Sequence, residues 1–227
     1  WSPKLGFVHS ANENFQFYGS LARGFRAPQA TELYRLQNNQ DISDIDSVEL
    51  DSIEFGIRGN TSHLDYNISF FDMNKRNFIF RDTARQNVDG GETTHRGAEL
   101  NLSFSFNDRV TTSLAMTWAR HEYANNPALS VFPLNDNEID TAPSTIGSAT
   151  IDWKLNKQFS LELEWVHVGE YFQDCENQHE YEGHDLLHLR GHWQLKDAIR
   201  LSARIMNLLD EAYAERADFA FGSDRYF

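Results

Sequence analysis

The segment from Ala98 to Trp118, AELNLSFSFNDRVTTSLAMTW, keeps one two-residue rhythm along its whole length, and this restricts the fold more than any other feature of the chain. Leu100, Leu102, Phe104 and Phe106 alternate with Glu99, Asn101, Ser103 and Ser105. After a polar turn at Asn107-Asp108-Arg109, Val110, Leu114, Met116 and Trp118 alternate with Thr111, Ser113, Ala115 and Thr117. A period of two is that of a β-strand with unlike faces, not of a helix. The turn predicts a hairpin in which Phe106 faces Val110, Phe104 faces Thr112, Leu102 faces Leu114 and Leu100 faces Met116. Both arms then turn their apolar residues to one side. Each arm matches the roughly nine to eleven residues that a tilted strand needs to cross a bilayer, although a soluble sandwich strand can look similar.

The same rhythm recurs in both directions. Leu5 and Phe7 turn at Ala11-Asn12-Glu13-Asn14 into Phe15, Phe17, Gly19 and Leu21. Ile53, Phe55 and Ile57 turn at Gly59-Asn60-Thr61-Ser62 into Leu64, Tyr66, Ile68 and Phe70. Ile151, Trp153 and Leu155 turn at Asn156-Lys157 into Phe159, Leu161, Leu163 and Trp165. Leu187, Leu189, Gly191, Trp193 and Leu195 turn at Lys196-Asp197-Ala198 into Ile199, Leu201, Ala203 and Ile205. The expectation is ten strands in five hairpins, joined by long polar stretches at Gly24 to Asp46, Arg81 to Glu92, His121 to Thr141 and Gly169 to His184. Tight and long connections strictly alternate, so an up-and-down meander collects tight turns at one end and long loops at the other. That asymmetry belongs to outer-membrane barrels; Greek-key sandwiches have no need of it.

No apolar run approaches the roughly 18 residues of a membrane helix, which excludes helical membrane proteins and leaves barrels open. The net charge of −14 argues against a general nucleic-acid binder. The lone Cys175 excludes an internal disulfide framework and a multi-Cys zinc site. The 17 Phe, eight Tyr and five Trp suit aromatic girdles at membrane interfaces as well as core packing. The chain starts at Trp1, so an upstream extension of the natural polypeptide is expected.

Three stretches carry a family resemblance. Residues 205–227, IMNLLDEAYAERADFAFGSDRYF, contain an N-L-x-D-x-x-Y segment. Residues 21–34, LARGFRAPQATELY, fit an R-x-x-x-A-x-x-L-Y type of strand-to-loop motif, and residues 94–100, THRGAEL, fit a G-x-E-L strand entry. In this order and spacing the chain resembles the C-terminal part of TonB-dependent outer-membrane receptors. The resemblance implies an all-β, antiparallel up-and-down transmembrane β-barrel fragment, about ten strands of a barrel that in the family has 22. It also implies a partial receptor domain over residues 1–227, with the plug and the terminal strand absent and no alternating strand of the barrel after Gly222. Such receptors sit in the bacterial outer membrane and import scarce ligands, most often ferric siderophores, with energy from the inner-membrane protein TonB acting through the plug. The alternatives are a passive porin or adhesin, or a receptor for another scarce ligand such as cobalamin or a sugar.

Candidate ligand-binding residues are Arg23, Arg26, Tyr34, Arg81, Arg85 and Arg96, at the expected long-loop ends of their strands, where an anionic iron complex would enter. Each arginine has a plainer alternative in pairing with a carboxylate such as Glu32, Glu54 or Glu99. Tyr18, Phe78 and Phe80 can stack on a ligand or serve in packing. His184, His188 and His192 share the water-facing parity of Arg190, but strand residues four apart lie about 13 Å from each other, too far for one ion. Only His184 with His179, Glu176 and Cys175 could converge, and no metal site or cofactor is assigned. No G-x-S-x-G or comparable nucleophile spacing occurs, so no catalytic residue and no enzyme activity is expected.

Overall fold

A computed structural model of the chain describes residues 1–34, 46–81, 87–128, 130–220 and 222–227. In chain order the elements are β1 (Lys4–Asn12), β2 (Phe15–Arg26), α1 (Ala30–Tyr34), β3 (Val48–Asn60), β4 (Leu64–Arg81), β5 (Asn87–Asn107), β6 (Val110–Tyr123), β7 (Thr145–Lys154), β8 (Phe159–Val168), β9 (Tyr171–Phe172), β10 (Glu180–Tyr181), β11 (His184–Lys196), β12 (Ile199–Ile205), β13 (Ala217–Ala220) and β14 (Ser223–Tyr226). Ten of the strands form one antiparallel sheet in the order β1-β2-β3-β4-β5-β6-β7-β8-β11-β12, so every strand pairs with its neighbour in sequence. This is the expected meander. The tight turns fall at one end, and α1 with the two small sheets β9-β10 and β13-β14 belongs to the long connections at the other.

The central hairpin has the expected register at Phe104↔Thr112, Leu102↔Leu114 and Leu100↔Met116. Phe106 departs from expectation. A bulge between Ser105 and Asn107 sets Asn107, not Phe106, opposite Val110. Asn107 Oδ1 accepts the Arg109 and Val110 amides at 2.8 and 3.1 Å, and this local cap uses the extra residue. A second departure is that β4 reaches Arg81 and β5 starts at Asn87, with Phe80↔Val88 and Phe78↔Gly91 paired. Arg81 and the residues from Asn87 to Glu92 are therefore strand, where a polar loop was expected. Above the lipid level neither face has to be apolar, so backbone pairing continues where alternation stops. Beyond Gly222, β14 pairs with β13 and not with the main sheet.

Directly opposed residues of an antiparallel pair share a face, so the registers carry parity across the sheet. Ile57, Ile68, Leu100, Met116, Gly147, His167 and Asp185 form one such row from β3 to β11. The face of this row also bears Leu21, Phe55, Phe70, Trp118, Trp153, Trp193 and Leu201, all exposed. A contiguous apolar face of that size has to be covered, and lipid covers it in a barrel. The opposite face carries Glu99, Asn101, His188, Arg190 and His192, with Arg190 donating to Glu162 and, at 2.6 Å, to Glu164. It is also where Tyr18 lies across Gly56, which has no side chain to obstruct the ring, to reach Asn67 Oδ1 at 2.9 Å. Buried hydrophobic side chains are few in the sheet. Phe80, Val88, Tyr123, Leu134 and Cys175 cluster instead at the loop end, with Phe78 and Ile139 against them.

Introducing a charge separates the two faces. Leu102→Arg places a guanidinium in the middle of the lipid-facing band, at a cost of about 2–4 kcal/mol, whereas Asn101→Arg, one residue away, faces water. The expected outcome is loss of the folded, heat-modifiable species on a gel for Leu102→Arg only.

Candidate functional site

At the loop end the two faces diverge chemically. Inward, one row runs Ala22-Ser52-Met73-His95-His121 and the next runs Gly24-Leu50-Lys75-Thr93-Tyr123. His95 Nδ1 lies 2.8 Å from His121 Nδ1, and Thr93 Oγ1 lies 3.0 Å from His95 Nε2. Lys75 Nζ sits 4.6 Å from the centroid of the Phe78 ring. Arg26 ends β2 with the same inward parity and is held by both oxygens of Glu32, at 2.9 and 3.0 Å. Glu32 also accepts the Gln29 amide at 2.6 Å, tying the first turn of α1 to the end of β2. Its hydrogen bond from Arg26 holds the Glu32 carboxyl below the usual carboxylate range. The inward rim thus gathers the Arg26–Glu32 pair, the Lys75 ammonium and two imidazoles, and the ammonium with the imidazoles offers donors to an anion.

Outward, the rows directly above the apolar band are Leu21-Ile53-Asp72-Arg96-Arg120 and Arg23-Asp51-Asn74-Thr94-Glu122. Arg23 and Arg96, expected beside the entering ligand, therefore point away from the channel. Arg23 lies near the loop end of β2, whereas Arg96 lies well inside β5, which starts at Asn87; an odd step from Ala22 or Gly97 sets each on the outward face. Arg23 forks onto Asp51 at 2.5 and 2.9 Å, and Arg96 Nε donates to Asp72 at 2.9 Å. Arg26 is the one expected arginine whose described side chain faces inward, and it makes the expected carboxylate pair. Of Tyr34 and Arg81 only the backbone is described, and Arg85 lies outside the described residues. Tyr18 is engaged by Asn67 and by Arg58, whose guanidinium sits 5.4 Å from its ring, while Phe80 lies in the loop cluster 5.2 Å from Tyr123. Sequence reasoning missed Lys75, His95 and His121. Counting back in twos from Glu99 and Asn101 would have reached His95.

The family model described as TonB dependent receptor-like, beta-barrel matches residues 1–208. This chain belongs to that family. It is an outer-membrane β-barrel chain, and no curated protein matches it. Among solved structures it is similar to the ferric yersiniabactin uptake receptor FyuA from Yersinia pestis, with 16% identity and a TM-score of 0.81 over 97% of this chain and 34% of that one. The siderophore receptor PiuA from Acinetobacter baumannii is 19% identical, with a TM-score of 0.76 over 92% of this chain and 31% of that one. The copper transporter OprC is 17% identical, with a TM-score of 0.81 over 99% of this chain and 37% of that one. The chain thus spans about a third of each of these proteins, and at such identities the likeness concerns the fold.

In this receptor barrel the long connections are interlocked. The Tyr123 hydroxyl donates to Asp140 Oδ1 at 3.0 Å, and Asn137 Nδ2 donates to the Cys175 carbonyl at 3.0 Å. His179 Nδ1 lies 2.7 Å from Asp174 Oδ2, with its ring stacked 3.6 Å from that of Phe219. The Ala217 amide donates to the Tyr171 hydroxyl at 2.8 Å, and the Phe219 amide to the Gln173 carbonyl at 2.9 Å. His184 bonds the Tyr181 hydroxyl at 2.9 Å, so His179 and His184 have separate partners. Among the described residues no three His, Cys, Asp or Glu converge on a possible ion.

Burial raises the Asp140 carboxyl above its usual value, against the opposing Tyr123 hydrogen bond. Between the ordinary value of about 3.9 and its own, folded Asp140 holds a proton that the unfolded residue has lost. Stability therefore falls as pH rises through that window. Asp140→Asn keeps an oxygen for the Tyr123 hydroxyl and removes the half-buried charge. Hydrogen exchange should show stronger protection of the Tyr123 and Ile139 amides at pH 7, a gain that disappears towards pH 4, the ordinary carboxylate range.

Proposed function

We propose that the receptor carrying this chain imports an anionic iron complex, a siderophore, from outside the cell into the periplasm, with energy passed from TonB. The single observation that carries this reading is the inward rim of Arg26, Lys75, His95 and His121, placed at the loop end of a barrel of the TonB-dependent receptor family. Carboxylate, catecholate and hydroxamate groups on a ferric complex present anionic oxygens, and these accept hydrogen bonds from guanidinium, ammonium and imidazole donors. The connections 24–46 and 121–141 help to capture the complex, with Tyr34, Arg81 and Arg85 as further contacts. Among the fold neighbours, FyuA, a ferric yersiniabactin uptake receptor, and PiuA, a siderophore receptor, support the substrate class.

A second reading has one specific observation in its favour. Met73, His95 and His121 are consecutive members of one inward row, and a thioether with two imidazoles suits a soft ion such as copper(I). OprC among the neighbours is a copper transporter. Lys75, which faces inward two residues along from Met73, repels a bare cation and favours the anionic cargo.

A deletion strain complemented with the receptor gene, grown under iron limitation on defined ferric siderophores, tests the proposal. Lys75→Gln should lower uptake of the cognate complex roughly tenfold, as expected when one charge-assisted hydrogen bond is lost. Normal iron uptake in the deletion strain, together with loss of copper, cobalamin or sugar uptake, would reassign the cargo.

A further inference from the structure

Arg96 on β5 and Arg120 on β6 are direct cross-strand partners on the outward face. Like charges placed directly opposite repel, and each of the two is balanced by a single carboxylate on one of its nitrogens. Arg96 gives its Nε to Asp72 at 2.9 Å, and Arg120 Nη2 lies 2.9 Å from Glu122 Oε1. No other partner takes the remaining guanidinium nitrogens among the described residues. The two side chains are 63% and 67% exposed, whereas inward-facing Arg190, held by two carboxylates, is 33% exposed.

Their height along the barrel gives the exposed pair a meaning. The next row towards the tight-turn end pairs Ala98 with Trp118, and below it come Leu100 with Met116 and Leu102 with Leu114. Trp118 is thus the last large apolar side chain of the lipid-facing band on these strands, and tryptophan marks the membrane–water interface. The arginines stand where hydrocarbon gives way to headgroups, on the side turned to lipid, at the long-loop end that faces out of the cell in such barrels. An anion between them would accept from both guanidinium forks and relieve the repulsion. At that level on the outer surface the anion present by construction of the membrane is the phosphate of a lipid, and arginine forks match phosphate oxygens.

We propose that Arg96 and Arg120 clamp the phosphate of an anionic lipid in the outer leaflet, whose acyl chains descend the outward face over Trp118, Met116 and Leu114. Asp72 and Glu122 hold the two guanidinium planes apart on either side of the phosphate. Arg23, which forks onto Asp51, is already occupied and takes no part.

The test uses the natural polypeptide that carries this chain, in phosphatidylcholine nanodiscs doped with bis-phosphorylated lipid A or with its dephosphorylated form. Native mass spectrometry reads the retained lipid. The unaltered protein should retain the phosphorylated form over the dephosphorylated one by roughly tenfold, the scale of one or two charge-assisted hydrogen bonds. R96A/R120A should abolish this preference, and R58A, at an inward-facing arginine, should leave it intact. High salt should weaken the preference in the unaltered protein. If R96A/R120A does not assemble, R120Q, which leaves the Arg96–Asp72 pair in place, should still reduce it. An unchanged preference in R96A/R120A or R120Q, equal retention of both lipids by the unaltered protein, or displacement of the lipid by inorganic phosphate at equal concentration would overturn the proposal.

Discussion

A backbone that crosses lipid has no water to satisfy its N–H and C=O groups, and each unpaired group costs several kcal/mol there. The main sheet answers this with an unbroken series of antiparallel ladders from β1 to β12. Everything else in the structure depends on those ladders. They fix register, register fixes parity, and parity decides which side chains meet lipid and which meet water. The sheet is a single layer, so apolar side chains gain by covering the outside of the barrel and not by filling an inside. This is why Leu21, Ile53, Phe55, Phe70 and Leu201 are exposed and yet well placed.

Charge is distributed by the same rule. Within the lipid-facing band Glu162 and Glu164 of β8 and Arg190 of β11 are turned inward, where Arg190 bridges the two carboxylates. Above the band both faces become polar, and each acquires its own character. The inward face gathers Lys75, His95 and His121, while the outward face carries alternating pairs such as Arg23–Asp51 and Arg96–Asp72. Two neighbouring residues, His95 and Arg96, therefore serve different media, one the channel and the other the membrane surface.

The loop end holds the nearest thing to a conventional core. Phe80 and Val88 come from the upper ladder of β4 and β5, Tyr123 from the end of β6, and Leu134 and Cys175 from two different connections. Stacked rings, as at His179 and Phe219, and the Tyr123–Asp140 hydrogen bond join these connections to one another. A connection anchored in this way presents its residues to a ligand at a lower entropic cost than a free loop of the same length. Asp140 is a half-buried carboxyl within that assembly with a raised pKa, so the firmness of the loop end responds to pH.

The sequence by itself determined the ten strands, their antiparallel order, the end at which the tight turns lie and the register of the central hairpin, because a period of two with one face in lipid admits a single solution. Family membership was legible too, through the ordered motifs near Arg23, Gly97 and Asn207. The Phe106 bulge was not legible, since it depends on the Asn107 side chain capping its own turn, nor was the ladder between β4 and β5 above the membrane, where hydrophobicity no longer reports pairing. Arg23 and Arg96 show the same division. The height of Arg23 was evident from the chain, but that of Arg96, and which medium each faces, was decided by cross-strand registers that extend beyond the alternating pattern. The meeting of Lys75, His95 and His121 from three strands, and of Tyr123 with Asp140 and Cys175 from separate connections, was decided by tertiary structure alone, because distance along a chain says nothing of which polar residues a series of ladders will set side by side.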